Sequence, residues 1–264
     1  MTAPVLDAVQ FTAPPLNPAV PGLFAATDWQ NDPDNRFLHG VVIRGANYGG
    51  DEAAGVWHAP WCAPPPIDQD ERKFGERPDI HDRFDPITVW AYDECDLTEP
   101  SRREVEARAA QILRLEEQPM VEREFAARLL LDAGDPDVAD ATGIETRPNL
   151  KAAVAYLEGE IAKTNTMAFL HVAADLVATE AGLFVKSGTQ RVSPSGHTWI
   201  IGGGYVDGLE NVIVATSQPF GWRDAPTTRT AIDERHNLYA AVAERSVTIG
   251  YEALIAAVAV VPAP

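Results

Sequence analysis

One stretch limits the possible folds more than any other: residues 98–134 are the longest periodic run in the chain. Its apolar positions recur at helical spacing, and charged residues occupy the positions between them. These apolar positions are Val105, Ala109, Ile112, Leu113, Val121, Phe125 and Leu129. The spacing predicts one amphipathic helix about nine turns long. We expect a kink at Pro119, which cannot donate a hydrogen bond to the carbonyl of Leu115.

The ends of this helix carry their own signals. Ser101 and Glu104 fit a capping box at the start, and Gly134 is placed to end the helix in a left-handed turn. A helix of this length is too long for a 264-residue globule to surround on all sides. The sequence therefore predicts a long helix that lies across a flat molecule.

The charge of the chain argues against nucleic-acid recognition. It carries 39 acidic and 21 basic residues, a formal net charge of -18. An acidic surface repels a phosphate backbone, so we expect no sequence-specific reading of DNA or RNA. A hydrophobic content of 45% is sufficient for a real core, in one large domain or two small ones.

Cysteine content and apolar runs point to a soluble protein made inside the cell. Cys62 and Cys95 are too few for a disulfide framework or a cysteine-built zinc site. The N-terminus lacks a basic region followed by an apolar core, so we predict no signal peptide. The longest apolar run, residues 253–261, is far shorter than the ~20 residues that span a bilayer, and no membrane partner is expected.

Residues 1–36 combine many prolines with many apolar residues. Proline excludes a regular helix or a central strand, while the apolar content is too high for a free disordered tail. The apolar positions are Val5, Leu6, Phe11, Leu16, Leu23, Phe24 and Trp29. We predict an extended arm that packs on another surface, either its own body or a neighbouring subunit.

Two predicted strands bracket a long excursion. Residues 37–44 and 86–97 have the composition and alternation of strands. About forty residues rich in glycine, proline and charge separate them, including Pro64, Pro65 and Pro66. Since a loop of that length is uncommon in a compact domain, we predict a hairpin-like arm that leaves the body and returns.

The second half alternates irregularly between helices and strands, which predicts an α+β body. Asn149 should cap a second amphipathic helix, and 132–148 should form an acidic linker before it. The other predicted elements are strands at 167–172, 198–201, 211–217 and 245–261, with a short helix at 173–181. No internal repeat is present.

The histidines do not suggest a metal site or a catalytic site. None of the six forms an H-x-x-x-H or H-E-x-x-H pair. His58 and Cys62 are four residues apart, but the surrounding prolines exclude a helix, so loop packing is the favoured interpretation. His171 lies in an apolar strand and is predicted to be a hydrogen-bonded core histidine rather than a catalyst.

Other candidate motifs have plain structural interpretations. The triplet 202–204 lacks the spacing and the lysine of a phosphate-binding loop and predicts a turn. No G-x-S-x-G motif is present. A charged cluster near Trp222 fits a polar subunit contact as well as an active site. Its members are Arg223, Asp224, Arg229, Asp233 and Glu234. The sequence thus predicts no catalytic, cofactor-binding or metal residue, and no cofactor.

The order of these parts resembles the HK97-type fold of tailed-phage major capsid proteins and encapsulin shells. By this resemblance, residues 1–36 are an N-terminal arm, and 37–97 hold the extended E-loop with its flanking peripheral-domain strands. Residues 98–148 are the spine helix and a linker of the peripheral domain. Residues 149–217 are an axial domain, and 218–264 return to the peripheral domain with the C-terminal strands.

The C-terminal region carries a second resemblance. Ala243-Glu244-Arg245, followed by a strand and Gly250-Tyr251, is similar to the ends of short capsid-like proteins of actinobacterial phages. Both resemblances imply a structural, non-enzymatic virion protein, made in the host cytoplasm. It would assemble with itself into hexamers and pentamers of an icosahedral head around double-stranded DNA, with scaffold, portal or decoration proteins as further partners.

Some alternatives stay open at this stage. Some members of the family crosslink a lysine of the E-loop to a neighbour; Lys73 is the lysine available in that region, and a salt bridge is the simpler role for it. An encapsulin-like shell, a minor head or vertex protein, and an unrecognised soluble enzyme are the competing functions. An enzyme would need a pocket with converging titratable groups.

Overall fold

A continuous helix of 36 residues runs through the computed structural model, which describes residues 12–50, 52–56, 62, 73–78, 80–134 and 144–261. The helix, α2 (Glu99–Gly134), is about 54 Å long at 1.5 Å per residue. The predicted long helix is confirmed, and it continues through Pro119. The predicted cap at Ser101 is wrong, because α2 begins two residues earlier and the Thr98 carbonyl already accepts the Arg102 N–H at 3.0 Å.

The apolar stripe of α2 is buried as the periodicity predicts, with one exception. Val105, Leu113, Val121 and Leu129 are at most 3% exposed. Ile112 is 36% exposed and lies beside the stripe rather than within it. The stripe packs on a sheet, so α2 is covered on that side and open on the other.

The described residues form three further α-helices, all shorter than α2: α1 (Leu23–Ala26), α3 (Leu150–Thr164) and α4 (Tyr205–Gly208). The predicted cap of α3 is confirmed, since the Asn149 side chain accepts the Ala152 N–H at 2.9 Å. The helical turn α1 lies in a segment that was predicted to have no helix.

Two further sequence predictions of local structure are wrong. Residues 37–44 do not form a strand: Arg36–His39 is a 3-10 turn, and Gly40 follows with a φ of 86°, which interrupts an extended run. Within this segment, Val41 forms an isolated antiparallel bridge with Phe84. The predicted helix at 173–181 is replaced by 3-10 turns at Leu176–Thr179 and Ala181–Leu183.

Twelve strands lie in the described part of the chain. In chain order they are β1 (Asp28–Trp29), β2 (Ile87–Cys95), β3 (Glu145–Arg147), β4 (Phe169–Ala173), β5 (Val185–Ser187), β6 (Gln190–Val192), β7 (Thr198–Gly202), β8 (Val212–Thr216), β9 (Phe220–Arg223), β10 (Thr227–Asp233), β11 (Leu238–Gly250) and β12 (Leu254–Val260). The predicted strands at 86–97, 167–172, 198–201 and 211–217 correspond to β2, β4, β7 and β8. The short strands β1, β3, β5 and β6, and the strands β9 and β10, were not predicted.

The first sheet is built around β11. The strand β2 pairs antiparallel with one side of β11, from Ile87 opposite Val247 to Cys95 opposite Tyr239. The strands β9 and β10 are both antiparallel to β11 as well, and β1 adds to β9 in parallel. Helix α2 covers the face formed by the alternate residues of β2 and β11 that are buried.

The second sheet has seven strands in the order β3-β12-β8-β4-β7-β6-β5. The pairs β4–β7 and β3–β12 are parallel and the remaining neighbours are antiparallel. Helix α3 buries Leu150, Val154, Leu157 and Ile161 in the core of this sheet. The mixed helix-and-sheet architecture agrees with the predicted α+β class.

The C-terminal strands divide between the two sheets. The sequence grouped residues 245–261 as one set of returning strands, but β11 ends at Gly250 in the first sheet and β12 begins at Leu254 in the second. The connection between the two sheets is therefore only three residues long here. None of the helices in the described part of the chain combines the length and apolar composition needed to cross a membrane.

Candidate assembly site

The segment before α1 lies along the side of α2. The Nε2 of Gln111 donates to the Leu16 carbonyl at 2.7 Å, and the Nε2 of Gln118 donates to the Pro21 carbonyl at 3.1 Å. The side chains of Leu16 and Val20 are 70% and 75% exposed. This part of the arm thus packs on its own subunit through its backbone and directs apolar side chains outward.

The end of the arm is hydrogen-bonded to a buried carboxylate of α2. Glu122 of α2 is fully buried; its Oε1 accepts the Leu23 N–H at 3.0 Å and its Oε2 accepts the Gly204 N–H at 3.0 Å. Burial raises the pKa of the Glu122 carboxyl, while the hydrogen bonds from Leu23 and Gly204 act in the opposite direction. One side chain therefore joins the arm, the long helix and the second sheet.

The glycine triplet 202–204 surrounds this carboxylate. A Cβ on Gly204 would lie 2.1 Å from the Pro119 carbonyl oxygen, and one on Gly202 would lie 2.9 Å from the Glu122 Cδ. Backbone can approach α2 here only because these residues lack side chains. The turn was predicted; its role as a cradle for a carboxylate of the same chain was not.

The excursion is residues 45–80, and its described residues include an incoming limb (45–50 and 52–56) and an outgoing limb (73–78 and 80) that lie against each other. A Cβ on Gly50 would lie 2.6 Å from the backbone carbon of Arg77, and one on Gly75 would lie 2.4 Å from the Cα of Ala53. This approach supports the predicted hairpin-like arm for the described limbs. Residues 57–61 and 63–72, which include the proline triplet 64–66 and His58 of the His58–Cys62 pair, lie outside the described residues, as do residues 1–11 of the arm and 135–143 of the acidic linker.

The residues that directly follow the excursion are hydrogen-bonded to α2. Arg128 donates from its guanidinium to the carbonyls of Asp82 and Arg83 at 2.7 and 3.1 Å, and to the Asp132 carboxylate at 2.7 Å. The Tyr251 hydroxyl donates to the other oxygen of Asp132 at 2.5 Å. This network fixes the residues that follow the excursion to both α2 and the connection between the sheets.

Two opposing influences set the ionisation of Asp132. Burial by itself would raise the pKa of this carboxyl. The hydrogen bonds from Tyr251 and Arg128, the positive charge of Arg128 and the close approach of His81 Nδ1, 3.4 Å from the carboxylate, outweigh burial and lower the pKa. The charged form of Asp132 is thus the one that the fold stabilises.

The incoming limb is held at the same connection. The backbone N–H of Asn47 donates to the Glu252 carboxylate at 2.9 Å, and the Asn47 side-chain amide donates to its other oxygen at 2.5 Å. Gly45 packs so closely on Glu252 that a Cβ would lie 1.8 Å from its Oε1. Tyr251 and Glu252, consecutive in sequence, therefore anchor both ends of the excursion.

Several apolar side chains are exposed on these projecting parts. On the excursion, Val56, Phe74 and Ile80 are 80%, 65% and 54% exposed. On β2, Trp90 and Tyr92 are 59% and 43% exposed, on the face opposite to α2. Exposed apolar groups gathered on particular surfaces are typical of protein–protein contacts.

The predicted core role of His171 is confirmed. The Thr216 hydroxyl donates to the Ser217 carbonyl, so it accepts from His171 Nε2 at 2.9 Å. The Nδ1 atom is then the acceptor for the Tyr205 hydroxyl, also at 2.9 Å. Burial lowers the pKa of His171 to about 3, so the ring is a neutral, structural hydrogen-bonding group.

The charged cluster near Trp222 is divided rather than brought together. Arg223 stacks on the Trp29 ring at 4.1 Å, while Arg229 pairs with Glu244 at 2.9 Å on another strand. Asp233 binds His236 at the end of the β10–β11 hairpin. These residues do not converge on one point.

Within the described ranges, no group of three His, Cys, Asp or Glu side chains could hold a metal ion. A cleft of about 270 Å³ lies between β2 and α2, lined mainly by Ile87, Val89 and Met120 with Arg123 and Glu124. Arg123 is already paired with Asp207 at 3.1 Å.

Solved structures of phage capsids share this fold. A chain of the bacteriophage PhiM1 mature capsid aligns with 11% identity and a TM-score of 0.52, over 100% of this chain and 93% of that one. A chain of the capsid of an empty GTA particle aligns with 10% identity and a TM-score of 0.54, over 98% and 96%. A chain from Microbacterium phage Oxtober96 gives 11% identity and a TM-score of 0.53, over 100% and 96%.

These alignments extend over nearly the whole of every chain compared. The protein therefore shares the fold of these capsid chains, in agreement with the α+β class that its sequence predicts. Neither a protein-family model nor a curated protein sequence matches the chain. The likeness is thus one of fold, at identities of 10–11% for these three structures.

Proposed function

We propose that this chain is the major capsid protein of a tailed bacteriophage and that it assembles with itself into an icosahedral head. The observation that carries the proposal is the excursion. Its two ends are firmly anchored through Asn47 and Arg128, yet it exposes Val56, Phe74 and Ile80. A monomer would leave this apolar surface in water, whereas a neighbouring subunit would cover it.

In this proposal the parts of the chain take the roles of the capsid fold. Residues 1–36 are the N-terminal arm, 37–97 contain the E-loop, and 98–148 are the spine helix and linker of the peripheral domain. Residues 149–217 form the axial domain. The returning segment, 218–264, would serve both domains, because β11 belongs to the sheet under α2 and β12 to the sheet of the axial domain.

The proposed assembly consists of hexamers and pentamers whose arms and E-loops overlap neighbouring subunits. The head would enclose double-stranded DNA without sequence-specific binding, in agreement with the net charge of -18. Scaffold, portal and decoration proteins are further partners in this proposal, and the virion is the proposed location.

The proposal is tested by negative-stain electron microscopy and sedimentation of the purified protein. We expect closed shells with fivefold and sixfold capsomers, sedimenting far ahead of the subunit. A uniform monomer or small oligomer at every salt and crowding condition would overturn self-assembly of the chain alone. A variant with Val56→Ser and Phe74→Ser provides the matched comparison, since it changes exposed side chains of the excursion only.

A further inference from the structure

The strand β10 is an open edge of the first sheet. All seven of its residues, Thr227–Asp233, are exposed. Among the strands in the described part of the chain, it pairs with β11 alone. Its other side therefore presents a row of backbone N–H and C=O groups that can pair with a further strand.

This edge lacks proline, lysine and a β-bulge, three features that commonly protect an edge strand from pairing with another chain. The strand contains no proline, glycine or lysine, and β-branched residues occupy four of its positions: Thr227, Thr228, Thr230 and Ile232. Proteins commonly protect a long edge strand with lysine, proline or a bulge. Because β10 lacks these features and has high β-propensity, we expect its free edge to be paired in the assembled state.

The two charges on β10 are arranged symmetrically. Arg229 and Asp233 lie two residues before and two residues after Ala231, and residues at this spacing point to the same face of a strand. The Arg229 side chain is 77% exposed. It holds Glu244 through one nitrogen at 2.9 Å, and a guanidinium has five N–H donors, so it can bind a second carboxylate.

We propose that β10 pairs antiparallel with β10 of a second copy of this chain, about a twofold axis at Ala231. In this register Arg229 lies opposite Asp233 of the second copy, and Asp233 lies opposite Arg229. The contact thus has two opposite-charge pairs related by the axis, as an isologous interface requires.

Neighbouring registers lose this complementarity. A twofold axis at Thr230 would place Arg229 opposite Ala231, and an axis at Ile232 would place Arg229 opposite Arg235, a like charge. Side chains of cross-strand pairs are close enough for such differences to matter. The charges therefore select the register centred on Ala231.

The pairing would join two subunits into one continuous sheet with the order β2-β11-β10-β10-β11-β2. It rests on the proposed self-assembly and adds a specific twofold contact to it. Because the contact is isologous, it closes on itself and would connect one pair of subunits, not a ring.

Disulfide trapping tests this contact. In a background with Cys62→Ser and Cys95→Ser, we would introduce Ala231→Cys, which places the two sulfurs at the axis. The control is Thr227→Cys, on the same exposed face of the same strand. At about 3.4 Å per residue, two such cysteines lie roughly 27 Å apart across the axis, too far for a disulfide.

We expect Ala231→Cys to give a covalent dimer on a non-reducing gel at least ten times faster than Thr227→Cys. Equal rates, or no dimer from Ala231→Cys, would overturn the pairing. Arg229→Asp added to Ala231→Cys should slow the crosslink about tenfold, and Asp233→Arg added to that variant should restore it. A rate unaffected by the charge reversals would overturn the proposed register.

Electron microscopy of the same samples separates this inference from the proposed function. Shells that form without the Ala231→Cys crosslink would overturn the twofold contact and leave the capsid proposal standing. Crosslinked dimers without shells would support the contact and overturn assembly of the chain alone into a capsid.

Discussion

Two regions of the molecule differ in the burial of their polar groups: the junction of α2 with the segments bonded to Glu122 and Asp132, and the projecting parts, which are the excursion and β10. At the junction, the carboxylates of Glu122 and Asp132 are buried and bonded at both oxygens. On the excursion and on β10, apolar and polar side chains alike are exposed, and the free edge of β10 has unpaired backbone.

This difference separates stability of the subunit from assembly. A buried carboxylate with bonded oxygens fixes three segments of one subunit in place, and removing it leaves donors with no acceptor. An exposed apolar side chain contributes little to the subunit and gains its value only when a partner covers it. Substitutions in the two regions should therefore affect different measurements.

The largest loss of stability is expected from Glu122→Ala. It would leave the Leu23 and Gly204 N–H groups buried without an acceptor and open a small cavity. We expect the free energy of unfolding of the unassembled subunit to fall by roughly 4 kcal/mol, measured by urea denaturation. The arm should also become sensitive to proteolysis near Leu23.

Glu122→Gln is the control for this prediction. Its amide oxygen retains one acceptor and removes the desolvated charge, so the loss should be about half as large. A change below 1 kcal/mol in Glu122→Ala would contradict the role of this residue as a joint between the three segments.

The sequence predicts α2 well because its periodicity is long and its polar face is strongly charged. The same periodicity places one acidic residue on the apolar stripe. Glu122 lies three and four residues before Phe125 and Ala126, which are both buried. An acidic residue at such a position indicates a buried carboxylate that needs donors. The donors themselves come from residues about 80 and 100 positions away, which periodicity cannot identify.

Other elements were missed for different physical reasons. The strand β10 has no buried face, so it shows no alternation of polar and apolar residues; its β-branched composition was the available sign. The 37–44 segment has strand-like composition, but the Phe37 N–H donates to Asp32 at 2.8 Å and Gly40 adopts a positive φ. Local hydrogen bonds therefore override propensity there.

A pair of adjacent glycines tests how tightly the second sheet approaches α2. Gly204→Ala would place a Cβ 2.1 Å from the Pro119 carbonyl oxygen, so the backbone would have to move. We expect a loss of roughly 3 kcal/mol in the free energy of unfolding. Gly203→Ala, whose added Cβ meets nothing within 4 Å, should lose less than 1 kcal/mol. Equal losses in the two variants would contradict a steric cause.

The dependence of stability on pH distinguishes the two buried carboxylates. The pKa of Asp132 is lowered from 3.8, so its contribution is present above that value and is lost as the pH falls through the folded pKa. We expect Asp132→Asn to cost roughly 2 kcal/mol at pH 7, and the difference from wild type should shrink on acidification. Urea unfolding from pH 7 down to about pH 2 measures both.

The stability contribution of Glu122 should change with pH in the opposite direction in the same experiment. Its pKa is raised from 4.5, so its contribution is fully present below 4.5 and decreases as the pH rises towards the folded pKa. Wild type should therefore gain stability relative to Glu122→Gln as the pH falls through this range. Parallel pH profiles for Asp132→Asn and Glu122→Gln would contradict the assigned directions.

The smallest effect on stability, and a large effect on assembly, is expected from Phe74→Ser. This side chain is 65% exposed on the excursion, so its removal should change the free energy of unfolding by less than about 0.5 kcal/mol. If a neighbouring subunit covers Phe74, the same change removes a buried aromatic contact from every subunit of a shell. The yield of shells in sedimentation should then fall at least tenfold, whereas Val185→Ser, at 48% exposure on the edge strand β5, should leave it unchanged. If Phe74→Ser lowered the stability of the subunit but left the yield of shells unchanged, the excursion would contribute to stability and not to assembly, which would contradict the comparison.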